Sequence, residues 1–452
     1  MKTSLLFLIV FSSCLTAQQS HFEIAEQIKN KGLEELTAFE MLKDLTGNIG
    51  NRLSGSKNYD KAVVWGKQAL LHAGADSVWL EPVMIPHWVR GDEKASLVLV
   101  NKKKIELSIC ALGGSIGTPK NGIRADVIEV QSFDEVKQLG DKAKGKIIFY
   151  NRPFDKKNAN PFHAYGGAVN QRTNGAIEAA KVGAVAVLVR SITPALDDEP
   201  HTGAMRYADS IPKIPAAAIS TVDAEMLSKE LNRRNVVSIH LLLRCQTYPD
   251  VLSYNVIGEI RGSEKPDEIV LVGAHLDSWD KGTGAHDDGS GIVHSVEVIR
   301  LIKSLKLKPR RTIRAVLYAN EENGLRGGKA YAARENNKKE KHIAAIESDA
   351  GGSSPRGFGV STDSVRFEKI RSYSSVLEIV GAEKISRGGG GADISTLQPL
   401  GTALIGFNPD PQRYFDYHHS NNDTIDKVHP RELELGAIAM AILAWVISQD
   451  GL

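Results

Sequence analysis

From Tyr254 onward the chain alternates short apolar runs with longer segments of helical periodicity. Strand-like runs fall at 270–273, 312–319, 343–347 and 403–407, and helical segments at 291–305, 324–335, 364–379 and 431–448. This alternation predicts an α/β fold, a mainly parallel mixed sheet flanked by helices on both faces. Open sheets of that kind bind ligands outside the carboxyl ends of their strands. There the chain places its acids and histidines. His275 and Asp277 follow the first strand. Asp287 and Asp288 sit in a glycine-bounded loop leading into a helix. Glu321 and Glu322 end the second strand, Asp349 ends the third, and His418 and His419 come soon after the fourth.

One such residue is unremarkable, since Asp288 before Gly289 would also serve as a helix cap. The set is harder to explain without a cation. Adjacent carboxylates repel, and burial raises the cost of both charges. Imidazoles with carboxylates and no cysteine suit Zn²⁺, with Mn²⁺ or Co²⁺ as substitutes. Two neutral imidazoles and three carboxylates around two dications leave one positive charge, which a hydroxide cancels. Water held there ionises near neutral pH and becomes a hydrolytic nucleophile. A carboxylate left free of metal, one of the pair Glu321 and Glu322, can accept its proton.

The rest of the chain is wrapped around that half. Residues 22–46 and 57–72 read as helices, and 77–85 and 95–100 as strands. Strands follow at 146–151, 184–189 and 214–219, with helices at 174–181 and up to Leu231. Residues 112–245 differ in texture and carry no paired catalytic residue types. His163, in an Asn- and Gly-rich stretch, reads as a solvated loop histidine. Lys2, an apolar run from Leu5 to Phe11 and small residues up to Ala17 read as a secretory signal cleaved after Ala17, with a lipoprotein anchor through Cys14 the lesser reading. The expected location is secreted or periplasmic, and no later apolar run was expected to reach membrane-spanning length. In an exported chain Cys110 and Cys245 either pair or stay as free thiols. With 56 Lys and Arg against 54 Asp and Glu, net charge is +2, which gives no electrostatic case for nucleic acid.

The motifs His275-Leu276-Asp277, Asp287-Asp288-Gly289-Ser290-Gly291, Glu321-Glu322, Asp349 and His419-Ser420-Asn421-Asn422-Asp423-Thr424 together resemble the co-catalytic dizinc aminopeptidase and carboxypeptidase family. The longer string from His275 to Asp280, with Gly284-Ala285 and Asp287-Asp288, is most similar to its plasma glutamate carboxypeptidase branch. The resemblance covers the whole mature chain. It implies a signal peptide at 1–17, the start of a catalytic domain at 18–111, a protease-associated-like insert at 112–245 and the zinc peptidase domain at 246–452. It further implies two Zn²⁺ per chain, with His275 and Asp349 on one, Glu322 and His419 on the other, and Asp287 bridging. Glu321 is then the general base, and Asp277 orients His275 through its second nitrogen.

The same resemblance implies a cis peptide after Asp287, an Asp lining the pocket in the Gly-rich loop before the last ligand, and a homodimer. His286 and His418 read as supporting residues. Arg387 and Arg413 are candidates for receiving a substrate carboxylate. The expected activity is hydrolysis of dipeptides or short peptides. The alternatives are an aminopeptidase on longer peptides, a glutaminyl cyclase, or a metal-free receptor-like protein.

Overall fold

The computed structural model describes residues 21–99, 104–233, 237–334 and 339–452. The stretch read as a signal sequence, Cys14 included, lies outside the described residues. After a helical stretch at 21–35, α1 (Thr37–Asn48) and α2 (Lys57–His72) lead into β1 (Ser77–Val89). The bounds of α2 follow from local chemistry: the Ser56 hydroxyl accepts the Tyr59 N–H at its start, an N-cap that satisfies an otherwise orphaned donor.

The chain then builds a second sheet before returning to the first. Its strands are β2 (Glu93–Val98), β3 (Lys104–Leu107), β4 (Ile109–Ala111), β5 (Ile123–Val130), β6 (Ile147–Tyr150), β7 (Ala186–Arg190), β8 (Ala216–Ile219) and β9 (Ser238–Leu243). Between β6 and β7 lie α3 (Pro161–Ala168) and α4 (Asn170–Lys181). The order is β3-β2-β9-β5-β6-β7-β8-β4. This sheet takes in β2, ahead of the boundary drawn at residue 112. Ala95 and Leu97 pair across to Leu241 and Ile239 of β9, and all four side chains are buried in one cluster. Composition changes later than the sheet does, because β2 and β3 look like ordinary strands of either unit.

The first sheet is completed by β10 (Gln246–Ile260), β11 (Lys265–His275), β12 (Arg311–Tyr318), β13 (Lys341–Glu347), β14 (Pro355–Ser361), β15 (Lys384–Arg387) and β16 (Ala403–Pro409). Its order is β1-β10-β12-β11-β13-β16-β14-β15. The central strands β12, β11, β13 and β16 are parallel neighbours, and β10 and β14 join them antiparallel. Alternation along the strands sorts the core. Val270, Val272, Ile313, Ala315 and Leu317 face the cluster built with α5 (Ser290–Ser304) and α6 (Pro430–Asp450). Ile269, Leu271, Val316 and Tyr318 face the opposite layer. Period-two side-chain placement makes both faces apolar in a sheet covered on both sides.

By length and composition α6 is apolar enough to cross a membrane, contrary to the expectation that no such segment follows the leader; 83% of its apolar window is buried inside the protein. Cys110 and Cys245 are both free and buried. Burial pushes each thiol up to about 12, so neither is a ready thiolate at neutral pH.

Candidate metal centre

Parallel pairing aligns the carboxyl ends of β11, β12 and β13. His275, the last residue of β11, stands in register with Tyr318 of β12, and Gly273 with Glu347 of β13. Glu321 and Glu322 therefore emerge beside His275, and Asp349 emerges on its other side. Asp287 arrives on the loop before α5, and its peptide bond to Asp288 is cis.

Asp287 lies between two donor pairs. Its Oδ1 is 3.2 Å from His275 Nε2, which is itself 3.4 Å from Asp349 Oδ1. Its Oδ2 is 3.1 Å from His419 Nε2, which is 3.1 Å from Glu322 Oε2. Asp287 is shared by two groups of potential ligand atoms, one with His275 and Asp349 and one with His418 and His419, and Glu322 stands beside the second through His419. His418 also approaches Asp287 Oδ2, at 3.6 Å, and stacks on His419 with centroids 3.5 Å apart.

The electrostatics of these donors show what they fit. Burial disfavours charge on His275 and His419, yet the surrounding carboxylates outweigh it. His275 is held well above the usual histidine range, and His419 at about 9. Burial and then the neighbouring Asp287 push Glu322 up to about 7. Burial, then Asp349 and Glu322, raise Glu321 well above the usual carboxylate range, against the pull of His275. The carboxylates around both imidazoles thus favour positive charge at this place. Glu322 Oε1 is buried with no hydrogen-bond partner. Imidazole nitrogens, carboxylate oxygens and an orphaned buried acceptor suit divalent cations of the zinc class.

The supporting bonds revise one expectation. His275 Nδ1 lies 2.9 Å from the backbone carbonyl of Asp277 and 3.7 Å from its carboxylate. The carboxylate accepts instead from Ser54 Oγ at 2.9 Å, Glu321 N at 3.0 Å and Glu322 N at 3.3 Å. Asp277 thus orients His275 through its main chain and uses its side chain to hold the turn of the two glutamates. Asp288, fully buried, caps Gly291 N and accepts His275 N.

Other supports had no sequence signal. Arg52, fully buried, donates to the carbonyls of Leu276, Thr283 and Gly284, binding the loop after β11. Asp423 accepts the backbone N–H groups of His286 and Asp287; it stood in the motif string but without a role. From the second sheet, Thr202 donates its N–H to the His419 carbonyl at 3.0 Å, and His201 Nδ1 meets the His418 carbonyl at 2.7 Å. Trp279 sits in the second sheet's core and meets His419 edge to face.

The remaining candidates separate clearly. His286 is structural: its ring contacts Lys427 O and Gly352 N, and burial pushes it down to about 4. His163 is exposed on α3 and lines a cleft of about 560 Å³ beside the metal pocket, sharing Phe162 and Asp349 with it. Arg387 is exposed and stacks on Phe367, and Arg413 is exposed outside both cavities. Asp393, expected to line the pocket, is fully buried beneath it with both carboxylate oxygens unpartnered; the glycines Gly390 and Gly391 line the cleft instead. A larger cleft of about 600 Å³ near Trp79 lies elsewhere. Its arginines are paired with its own glutamates, Arg314 with Glu259 and Arg334 with Glu81, and it holds none of these donors.

Residues 255–446 match the model of peptidase family M28. Carboxypeptidase Q of Mus musculus is 38% identical, covering 96% of this chain and 93% of that protein. Its Homo sapiens counterpart is 39% identical, over 92% and 86%. A crystal structure of a peptidase M28 precursor from Shewanella amazonensis superposes with a TM-score of 0.91 at 37% identity, over 96% of this chain and 98% of that one. A zinc aminopeptidase from Bacillus subtilis shares the fold, with a TM-score of 0.66 at 21% identity over 92% and 95%.

Proposed function

The chain belongs to peptidase family M28, and on that premise we propose that it is an exported exopeptidase that uses two zinc ions to hydrolyse dipeptides or short peptides. The observation that carries the reading is the division of Asp287, with one oxygen facing His275 and Asp349 and the other facing His419 and Glu322. In this reading His275 and Asp349 would hold one ion and Glu322 and His419 the other, with Asp287 available to both. The ions, when bound, polarise the scissile carbonyl and acidify a water.

The chain's own groups do the remaining work. Glu321 is half-buried beside these donors and lines the pocket. It takes the proton of the attacking water and returns it to the leaving amine. Its turn is fixed through Asp277, so the carboxylate is in place before substrate arrives. Phe162, Tyr165 and Phe415 wall the pocket and exclude bulk water.

The volume of the pocket, about 250 Å³, favours a short substrate. The adjoining cleft supports a second reading, aminopeptidase action in which a longer peptide continues past Phe162. Export rests on the basic, apolar and small-residue succession of residues 1–17. The strands from Glu93 to Leu243 would correspond to the protease-associated-like insert, whose role here is to cover the metal pocket.

Elemental analysis of the purified chain with a dipeptide assay tests the reading. Two zinc ions per chain are expected, with hydrolysis lost on chelation and restored by zinc. A chain that carries zinc but splits no peptide, or splits peptides equally well after exhaustive chelation, overturns it.

A further inference from the structure

His419 carries its imidazole on a left-handed backbone, with φ +62°. A β-carbon makes that conformation unfavourable, and it persists where the surroundings hold it. Here the holding groups come from the second sheet. Thr202 grips His419 twice: its N–H donates to His419 O at 3.0 Å, and its carbonyl lies 3.4 Å from His419 Nδ1. The second contact leaves Nε2 as the nitrogen that faces Asp287 and Glu322, 3.1 Å from each. One residue earlier, the His418 carbonyl accepts from His201 Nδ1 at 2.7 Å.

The loop that makes these bonds, between β7 and β8, is fixed in turn to the ends of its own sheet. Ser191 Oγ accepts the His201 N–H and donates to Ile219 O, at the end of β8. Thr202 Oγ1 donates to Ala111 O, at the end of β4, and the buried Arg172 of α4 donates to Thr202 O at 3.3 Å. Further along, Glu199 accepts from Asn421 Nδ2 at 2.9 Å. His201 itself is 4% exposed and stands outside the pocket lining. Its Nε2 has no hydrogen-bond partner among the described residues, so the ring is used at Nδ1 alone.

We propose that His201 is a positioning residue for the metal ligand His419, and that one of the two metal sites is completed across the two sheets. The inference rests on the dizinc part of the reading above and deepens it. The His418 and His419 carbonyls belong to the peptide planes on either side of the His419 Cα. Anchoring both, one through His201 and one through Thr202, fixes φ and ψ at that residue. An imidazole holds a cation tightly when its tautomer and orientation are set beforehand by a partner on its other nitrogen. His275 takes that partner from its own sheet, the carbonyl of Asp277. His419 takes it from the other sheet. The second sheet therefore does more than cover the pocket: it sets the affinity of the His419 site and leaves the His275 site to the first sheet.

The test measures the two stepwise zinc affinities of the full chain by competition with a chromophoric chelator. In His201→Ala one ion is expected to bind about 10- to 100-fold more weakly, while the other keeps its wild-type affinity. His201→Asn, whose amide nitrogen takes the place of Nδ1, is expected to recover most of the loss. That recovery separates the hydrogen bond from mere filling of space. Melting temperatures report whether each variant is folded. Should His201→Ala not fold, His201→Gln takes its place against His201→Asn, because its donor is displaced by one bond. Wild-type affinity at both sites, equal weakening of both, or no recovery in His201→Asn overturns the inference. A wild type that binds no zinc overturns the dizinc reading, and this inference with it.

Discussion

The carboxylate of Asp277 accepts the backbone N–H of Glu321 at 3.0 Å. With the bonds from Glu322 N and Ser54 Oγ, this side chain is a scaffold for the two glutamates. Asp277→Asn replaces one acceptor oxygen with a donor that faces another donor, so the turn loses a support. Supports of this type cost about 10- to 100-fold in metal affinity or activity. Zinc titration and steady-state kinetics on a dipeptide would measure it. Unchanged values for both would mean that the turn is held without Asp277.

Glu321→Gln separates the two glutamates. Glu321 carries the proton in the proposed reaction and Glu322 holds metal, so the amide should lower kcat by about 10²- to 10⁴-fold with two zinc ions retained. Loss of one zinc in Glu321→Gln would exchange the roles of the pair.

Much of this was legible in the sequence, and for a physical reason. His275, Glu321, Glu322 and Asp349 each follow an apolar strand, and strand ends are local features. Parallel pairing then brings them together without further information. The supports were illegible because their partners are remote and their residue types ordinary. His201 and His418 stand 217 positions apart, and Arg52 lies 224 positions from Leu276. Arg172 fell before the helix read at 174–181, and its burial is visible only once the chain has closed over it. Asp393 misled in the opposite direction. Its glycine-rich neighbourhood suggested exposure, whereas the glycines let the backbone pass over a buried carboxylate: a Cβ at Gly391 would fall on the Glu347 carboxyl.

Trp279 joins the two sheets. It is 2% exposed, packed in the second sheet's core although it follows β11 of the first. A Cβ at Gly113 would lie inside its ring. Trp279→Ala removes a buried aromatic and leaves a cavity, at a cost of about 3–5 kcal/mol. Its ring also meets His419, so zinc affinity should fall along with stability. Chemical denaturation and zinc titration of the same variant would check both. A stability loss with wild-type zinc affinity would confine Trp279 to packing.

Stability should also depend on a buried acid pair far from the metal. Glu434 of α6 accepts Ala38 N at 3.0 Å and lies against Glu297 of α5, which pairs with Arg300; Arg300 also reaches Glu35. Burial, then the charge of Glu297, push Glu434 up to about 9, against an ordinary value of 4.5. The folded chain therefore binds a proton that the unfolded chain has released between these values. Its contribution to stability is complete below about 4.5 and is lost as pH rises through about 9, following the difference in bound protons. Glu434→Gln keeps an acceptor for Ala38 N and a donor toward Glu297 without a titrating group. Its melting temperature should match the wild type in mild acid and exceed it near pH 9, giving a flatter profile across the window. Melting curves recorded across that range decide the matter, and two parallel profiles would show that Glu434 titrates as an ordinary carboxylate.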